Sequence, residues 1–207
     1  MHLVLPLLIA VAGATPPTSK DPLVARVEAH YAAVDTMQMQ FSQTVRSPLY
    51  GDQVQTGTVA FARPGKMRWS FTDEGKHYIG DGAGSMWVYL EKDKQAFHYT
   101  GWDASGQAES LLSSLDNIDS LFLVSVGSSS DKGHVLTLKP REEAAYAHVE
   151  LRLDSALSVT GVVLTDTMET RTELSFTGVE LGADLPADTF TFAPPEGVEV
   201  IEAGLPK

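Results

Sequence analysis

The sequence predicts a mainly β domain, a strongly bent antiparallel sheet of about ten or eleven short strands with one helix before them and one in their middle. Three observations carry this expectation. Between Met37 and Val179 most of the chain alternates apolar and polar side chains, the period of strands with one buried face. The alternating runs are separated by turn sequences such as RPGK, DEGK and DGAG. Two segments, one after Asp21 and one around Leu111, break from that period to helical spacing.

The first helix is written in SKDPLVARVEAHYAAVD: Asp21 suits the N-cap, Pro22 the first helical position, and Leu23, Val27, Tyr31 and Val34 recur at helical spacing. From Met37 the face formed by Met37, Met39, Phe41, Gln43 and Val45 opposes Gln38, Gln40, Ser42 and Thr44. Gln55–Phe61 alternates likewise, with Val59 and Phe61 opposite Thr58 and Ala60. RPGK fits a type II turn with Pro and Gly at its centre, and the chain returns through Met67, Trp69 and Phe71 as a hairpin. Further strands are expected at Lys76–Gly80, Ser85–Leu90 and Gln95–Thr100.

AESLLSSLDNIDSLFLV places Leu111, Leu112, Leu115, Ile118, Leu121 and Phe122 at helical spacings, which predicts a helix over 111–122 and a loop over 127–133. Strand patterns return at His134–Leu138, Ala147–Leu153, Ser158–Leu164 and Glu173–Val179, and short stretches at Phe190–Phe192 and Val198–Ile201 complete the sheet. A bent sheet with both helices on its concave face buries every apolar stripe at once. Periodicity leaves open whether the sheet closes and whether its interior is full or hollow.

Composition narrows the function. The chain of 207 residues has 15 Lys and Arg against 27 Asp and Glu, a formal charge of −12. That argues against a nucleic-acid groove and against adsorption to an anionic membrane. The absence of cysteine excludes disulfides, thiolate metal sites, cysteine nucleophiles and a lipid anchored through an N-terminal Cys. The start, MHLVLPLLIAVAGATPP, has an apolar run followed by a small-x-small pattern, so residues 1–14 read as a secretory signal peptide and 15–207 as a single domain working outside the cytoplasm.

Catalytic chemistry finds little footing. The six histidines are scattered without metal-ligand spacing. There is no nucleophile elbow or P-loop, and GDGAG leads into a strand where a phosphate site needs a helix. The expectation is a protein that is not an enzyme, with no catalytic residue, metal or cofactor. What stands out is an apolar inventory of Met37, Met39, Met67, Met86, Trp69, Trp87 and several phenylalanines on strands. It reads either as a filled core or as an adaptable wall for acyl chains.

The combination QFSQTV, GTVAFARPGKMRWSF, YIGDGAGSMWVY and FTFAPPEGVEVI resembles the LolA family of periplasmic outer-membrane lipoprotein carriers over nearly the whole mature chain. The resemblance implies an incomplete, half-open antiparallel β-barrel of about eleven strands with a helical lid over a hydrophobic cavity. It implies a monomeric periplasmic carrier that binds the acyl chains of lipoproteins, with partners in an inner-membrane lipoprotein-releasing ABC transporter and an outer-membrane acceptor lipoprotein. On this reading Phe41, Val59, Phe61, Met67, Trp69, Phe71 and Trp87 bind acyl chains. Leu111, Leu112, Leu115, Ile118 and Leu121 form the lid, and Arg63 of the R-P motif gates it by donating to lid carbonyls or acids. The residue pattern alone favours the plainer reading, in which Arg63 snorkels into solvent from its strand end. The alternative from another class is a periplasmic sensor domain of the same fold that binds lipids or lipoproteins.

Overall fold

A computed structural model describes residues 21–47, 51–102, 108–144 and 146–203; the proposed signal peptide lies outside these described residues. Helix α1 (Pro22–Ala32) begins where the sequence places it: the Asp21 side chain accepts from the Leu23 N–H (2.8 Å), and Pro22 occupies the first turn. Among the described residues twelve strands follow in one sheet. They are β1 (Thr36–Ser47), β2 (Gly51–Ala62), β3 (Lys66–Phe71), β4 (Lys76–Asp81), β5 (Ser85–Leu90) and β6 (Gln95–Thr100). After a 3-10 helix (Ala108–Ser114) and α2 (Ile118–Leu121) come β7 (Phe122–Ser130), β8 (Gly133–Pro140), β9 (His148–Leu153), β10 (Val159–Thr165), β11 (Arg171–Leu181) and β12 (Glu199–Ala203).

The strand order is β12-β6-β5-β4-β3-β2-β1-β11-β10-β9-β8-β7, so the sheet ends in two edges and does not close. Long pairings of β1 with β2 and β11 hold its centre. Met67, Trp69 and Phe71 of β3 share one buried cluster with Leu136, Leu138, Val149 and Leu151 of β8 and β9. Strands so far apart in the order meet because the sheet curls, which gives the open barrel its concave interior. Among the described residues no helix is long and apolar enough to cross a membrane.

Several local expectations are corrected. The expected helix 111–122 is split into the 3-10 helix, a turn and the four residues of α2. Phe122–Ser130 is a strand, not a helix end running into a loop. Its alternation is legible from Phe122, Val124 and Val126, but the overlapping leucines also satisfy helical spacing. RPGK is a three-residue loop between the paired Ala62 and Lys66, with a cis Arg63–Pro64 peptide and Gly65 at φ 59°, not a type II turn. The neighbouring DGAG turn packs close: a Cβ on Gly82 would lie 2.0 Å from the Pro64 carbonyl oxygen.

The C-terminal stretch also departs from its pattern. β12 joins the edge strand β6 in parallel, the one non-antiparallel pair of the sheet as described. Phe190–Phe192 forms no strand and instead crosses the convex face, where Phe190 is buried and Phe192 packs on Trp87 and Tyr89 (ring centroids 5.3 and 5.0 Å).

One side chain ties α1 to the far half of the sheet. Buried Tyr31 donates its hydroxyl to the Leu157 carbonyl (3.1 Å) and accepts from the Val159 N–H (2.9 Å). Burial pushes its pKa up to about 12, against the hydrogen bond from Val159. Removing the hydroxyl strands a buried N–H, so Tyr31→Phe should lower the unfolding free energy by about 1–3 kcal/mol in denaturant titrations. Because the folded-state pKa lies above the unfolded one, this tyrosine's stabilisation is complete below about pH 10 and is lost as the pH rises towards about 12. A wild-type unfolding midpoint that falls across that window, with a shallower fall in Tyr31→Phe, is the expected result.

Candidate functional site

The inner face of β1–β3 is an aromatic and methionine wall. Register aligns Phe61 with Met67 and Val59 with Trp69. Phe41 meets Trp69 and Phe71 edge-on (centroids 5.0 and 5.1 Å), and Phe61 meets Trp69 at 6.2 Å. Gly57 makes room for this packing, since a Cβ there would lie 2.8 Å from the Phe41 ring and 2.0 Å from the Ser70 carbonyl. All of Phe41, Val59, Phe61, Met67, Trp69 and Phe71 are buried in one cluster.

Helical segments cover the wall. Leu111, Leu112, Leu115 and Ile118 are buried in the same cluster, together with Leu23, Val24 and Val27 of α1. α1 and α2 are joined through Glu28, a buried carboxylate whose Oε1 accepts from the Asp119 N–H (2.8 Å) at the start of α2. Across the chain, Arg141 Nε donates to the Asp119 carbonyl (3.1 Å).

Arg63 closes one end. Its Nε donates to the Val34 carbonyl (2.8 Å), Nη2 to the Tyr31 carbonyl (3.0 Å), and Nη1 reaches Asp116 Oδ2 (2.7 Å) in the turn between the 3-10 helix and α2. One planar fork therefore binds the C-terminal end of α1 and the turn before α2 at once. The loop that carries it is positioned in turn by a backbone bond from the Arg63 N–H to the Asp35 carbonyl (2.9 Å).

Two of the sequence-based candidates fall elsewhere. Trp87 is on the convex face: β5 turns Met86 inward, while Trp87 stacks on His98 (4.1 Å) beneath the C-terminal segment. Apolar residues stand at consecutive positions in SMWVYL, so alternation could not decide which of them faces inward. Leu121 is 38% exposed and stands apart from the buried leucines. Sequence reasoning missed Glu28 and Asp116, because a single acid in an amphipathic segment reads as a solvated residue. A cavity of about 230 Å³ lies at the end of the concave face opposite Arg63; Trp69 and Phe71 line it, together with Gln43, Lys76 and Tyr78, which sequence reasoning did not single out.

The profile of the family described as outer membrane lipoprotein carrier protein LolA matches residues 32–193. The chain belongs to this family. It is 29% identical over 171 residues to an outer-membrane lipoprotein carrier protein of Neisseria meningitidis, covering 81% of both chains. To that of Chromobacterium violaceum it is 26% identical over 195 residues, covering 93% of both. In fold it is similar to a LolA superfamily protein from Nitrosomonas europaea (TM-score 0.50, 14% identity, 82% of this chain and 96% of that one). An uncharacterized conserved protein from Thermus thermophilus is also similar (TM-score 0.57, 12% identity, 86% and 95%). The LolA family is one of carriers, and its membership supports lipoprotein carriage as the chain's function.

The Arg63 contacts predict a measurable effect on the cover. Arg63→Leu removes all three bonds, and hydrogen exchange of the 111–121 amides should accelerate by at least about tenfold, as the loss of a charge-assisted bond implies. Asp116→Asn, which keeps the two carbonyl contacts, should give a smaller acceleration.

Proposed function

We propose that residues 15–207, freed of the signal peptide 1–14, work in the periplasm as a monomeric single-domain carrier. The protein takes the acyl chains of lipoproteins from an inner-membrane ABC transporter and hands them to the outer membrane through an acceptor lipoprotein. Neither a cofactor nor catalysis is needed. The observation that carries this reading is the aromatic and methionine wall of β1–β3, covered by short helical segments that Arg63 pins at one end.

Energetics suit such a device. Burying one chain of about sixteen carbons is worth roughly 13 kcal/mol at about 0.8 kcal/mol per methylene, so a lipidated protein does not cross water unshielded. The cavity opposite Arg63, about 230 Å³, is below the roughly 300 Å³ at which small-molecule pockets begin. Cargo must therefore displace the helical cover and take its place against the wall. Cover and cargo compete for the same apolar surface, and the net affinity is the difference between two large burial terms, which permits release.

The test is co-purification of the mature protein from periplasmic extract, with mass spectrometry of retained acylated peptides. Wild type should carry diacyl- or triacyl-modified lipoproteins, and Arg63→Leu should change their retention. Trp69→Ala should reduce the load several-fold, whereas Trp87→Ala on the convex face should lower stability and leave the load unchanged. If no acylated partner is found while another LolA-family carrier retains one in parallel, the reading fails.

A further inference from the structure

The cavity opposite Arg63 has an apolar floor that includes Trp69, Phe71 and Leu164, and a polar rim that includes Gln43, Lys76 and Asp166. Lys76 is unusual there. It stands on an inward-facing position of β4, paired with Phe71 of β3, and its ammonium lies 4.2 Å from the centroid of the Phe71 ring and 5.6 Å from that of Tyr78. The side chain is only 20% exposed. An ammonium at the edge of an apolar cavity is held there by the ring faces and by a fixed acceptor.

That acceptor belongs to a chain of side-chain contacts along the rim. Gln43 Nε2 donates to Gln55 Oε1 (3.3 Å), Gln55 Nε2 donates to Glu74 Oε1, and Glu74 Oε2 lies 3.2 Å from Lys76 Nζ. Residues of β1, β2, the β3–β4 turn and β4 thus fix the ammonium in place before any ligand arrives. Glu74 engages one side of an ammonium that has three donors.

We infer that this cavity receives the first segment of one acyl chain and that Lys76 donates to the ester carbonyl joining that chain to its glyceride head. The inference rests on the carrier reading and names the part of the cargo recognised at this end. A neutral carbonyl suits the rim better than a free fatty-acid carboxylate. Lys76 is already paired with Glu74, and across the cavity stands Asp166, whose Oδ1 accepts from the Met168 and Thr170 N–H groups (both 2.8 Å). The charged residues lining the cavity are Lys76 and Asp166, and Lys76 is already paired, so an anionic head gains little there while an uncharged oxygen is still offered a donor.

The experiment titrates the mature protein with two synthetic lipopeptides, a dipalmitoylglyceryl-cysteine peptide with ester-linked chains and its dialkyl ether analogue, and with palmitate. Both lipopeptides should bind wild type, the ester about tenfold tighter, as expected for a charge-assisted bond to a carbonyl. Lys76→Met should abolish that gap by weakening the ester to the level of the ether, Lys76→Arg should keep it, and palmitate should bind wild type more weakly than the ester. Equal binding of ester and ether to wild type, a gap that survives Lys76→Met, or palmitate binding tighter than the ester would overturn the inference and leave the carrier reading standing. If neither lipopeptide binds wild type at all, the carrier reading falls and this inference falls with it.

Discussion

The inner face of β1–β3 carries Met37, Met39, Phe41, Val59, Phe61, Met67, Trp69 and Phe71, and an apolar surface of that size has to be withdrawn from water. A flat sheet would leave it to a neighbour. Here the sheet curls until strands on both sides of the centre face one another, and the remaining gap is filled by α1, the 3-10 helix and α2. The register of the hairpins, the split of the second helical segment and the placement of Arg63 all serve this one demand. Only the inner face is left for the helices, because the segment after β11 seals part of the convex face with Ala183, Phe190 and Phe192.

The cover is built from pieces that have little stability of their own. A helix of four residues such as α2 is far below the length at which helices persist in water. It holds its shape through buried Ile118, the Glu28 carboxylate on its first turn and the Arg141 guanidinium on the Asp119 carbonyl. A cover whose order comes from the contacts it makes is lost when those contacts are exchanged for others. Such a surface is suited to an occupant that arrives and leaves. The sheet beneath it is held by continuous ladders from β6 to β7.

Polar groups divide the work between the two ends of the concave face. At one end Arg63 joins α1 to the turn before α2 through carbonyls and Asp116. At the other, the Gln43–Gln55–Glu74–Lys76 chain frames an opening with an aromatic floor. Between them the interior is apolar and filled. This polarity suits a guest that is mostly hydrocarbon with a small oxygen-bearing head.

The sequence by itself determined which residues share a face. A strand's side chains alternate with a period of two, so Val59 with Phe61, and Met67 with Trp69 and Phe71, share a face within their own strands; that these faces form one wall with Phe41 is what the family resemblance implies, and Asp21–Pro22 marks the start of α1 by local capping chemistry alone. Where local patterns conflict, only tertiary structure could choose. Trp87 or Met86 could each face inward in SMWVYL, and the C-terminal segment decided it by offering Phe192 as a partner on the convex side. The 111–122 region satisfied helical spacing throughout, yet pairing with β8 drew Phe122 into a strand because ladder bonds and burial outweigh weak propensity. The partners of Arg63 and Glu28 lie tens of residues away, and no spacing rule encodes them. They follow from how far the sheet curls, a property of the packed whole.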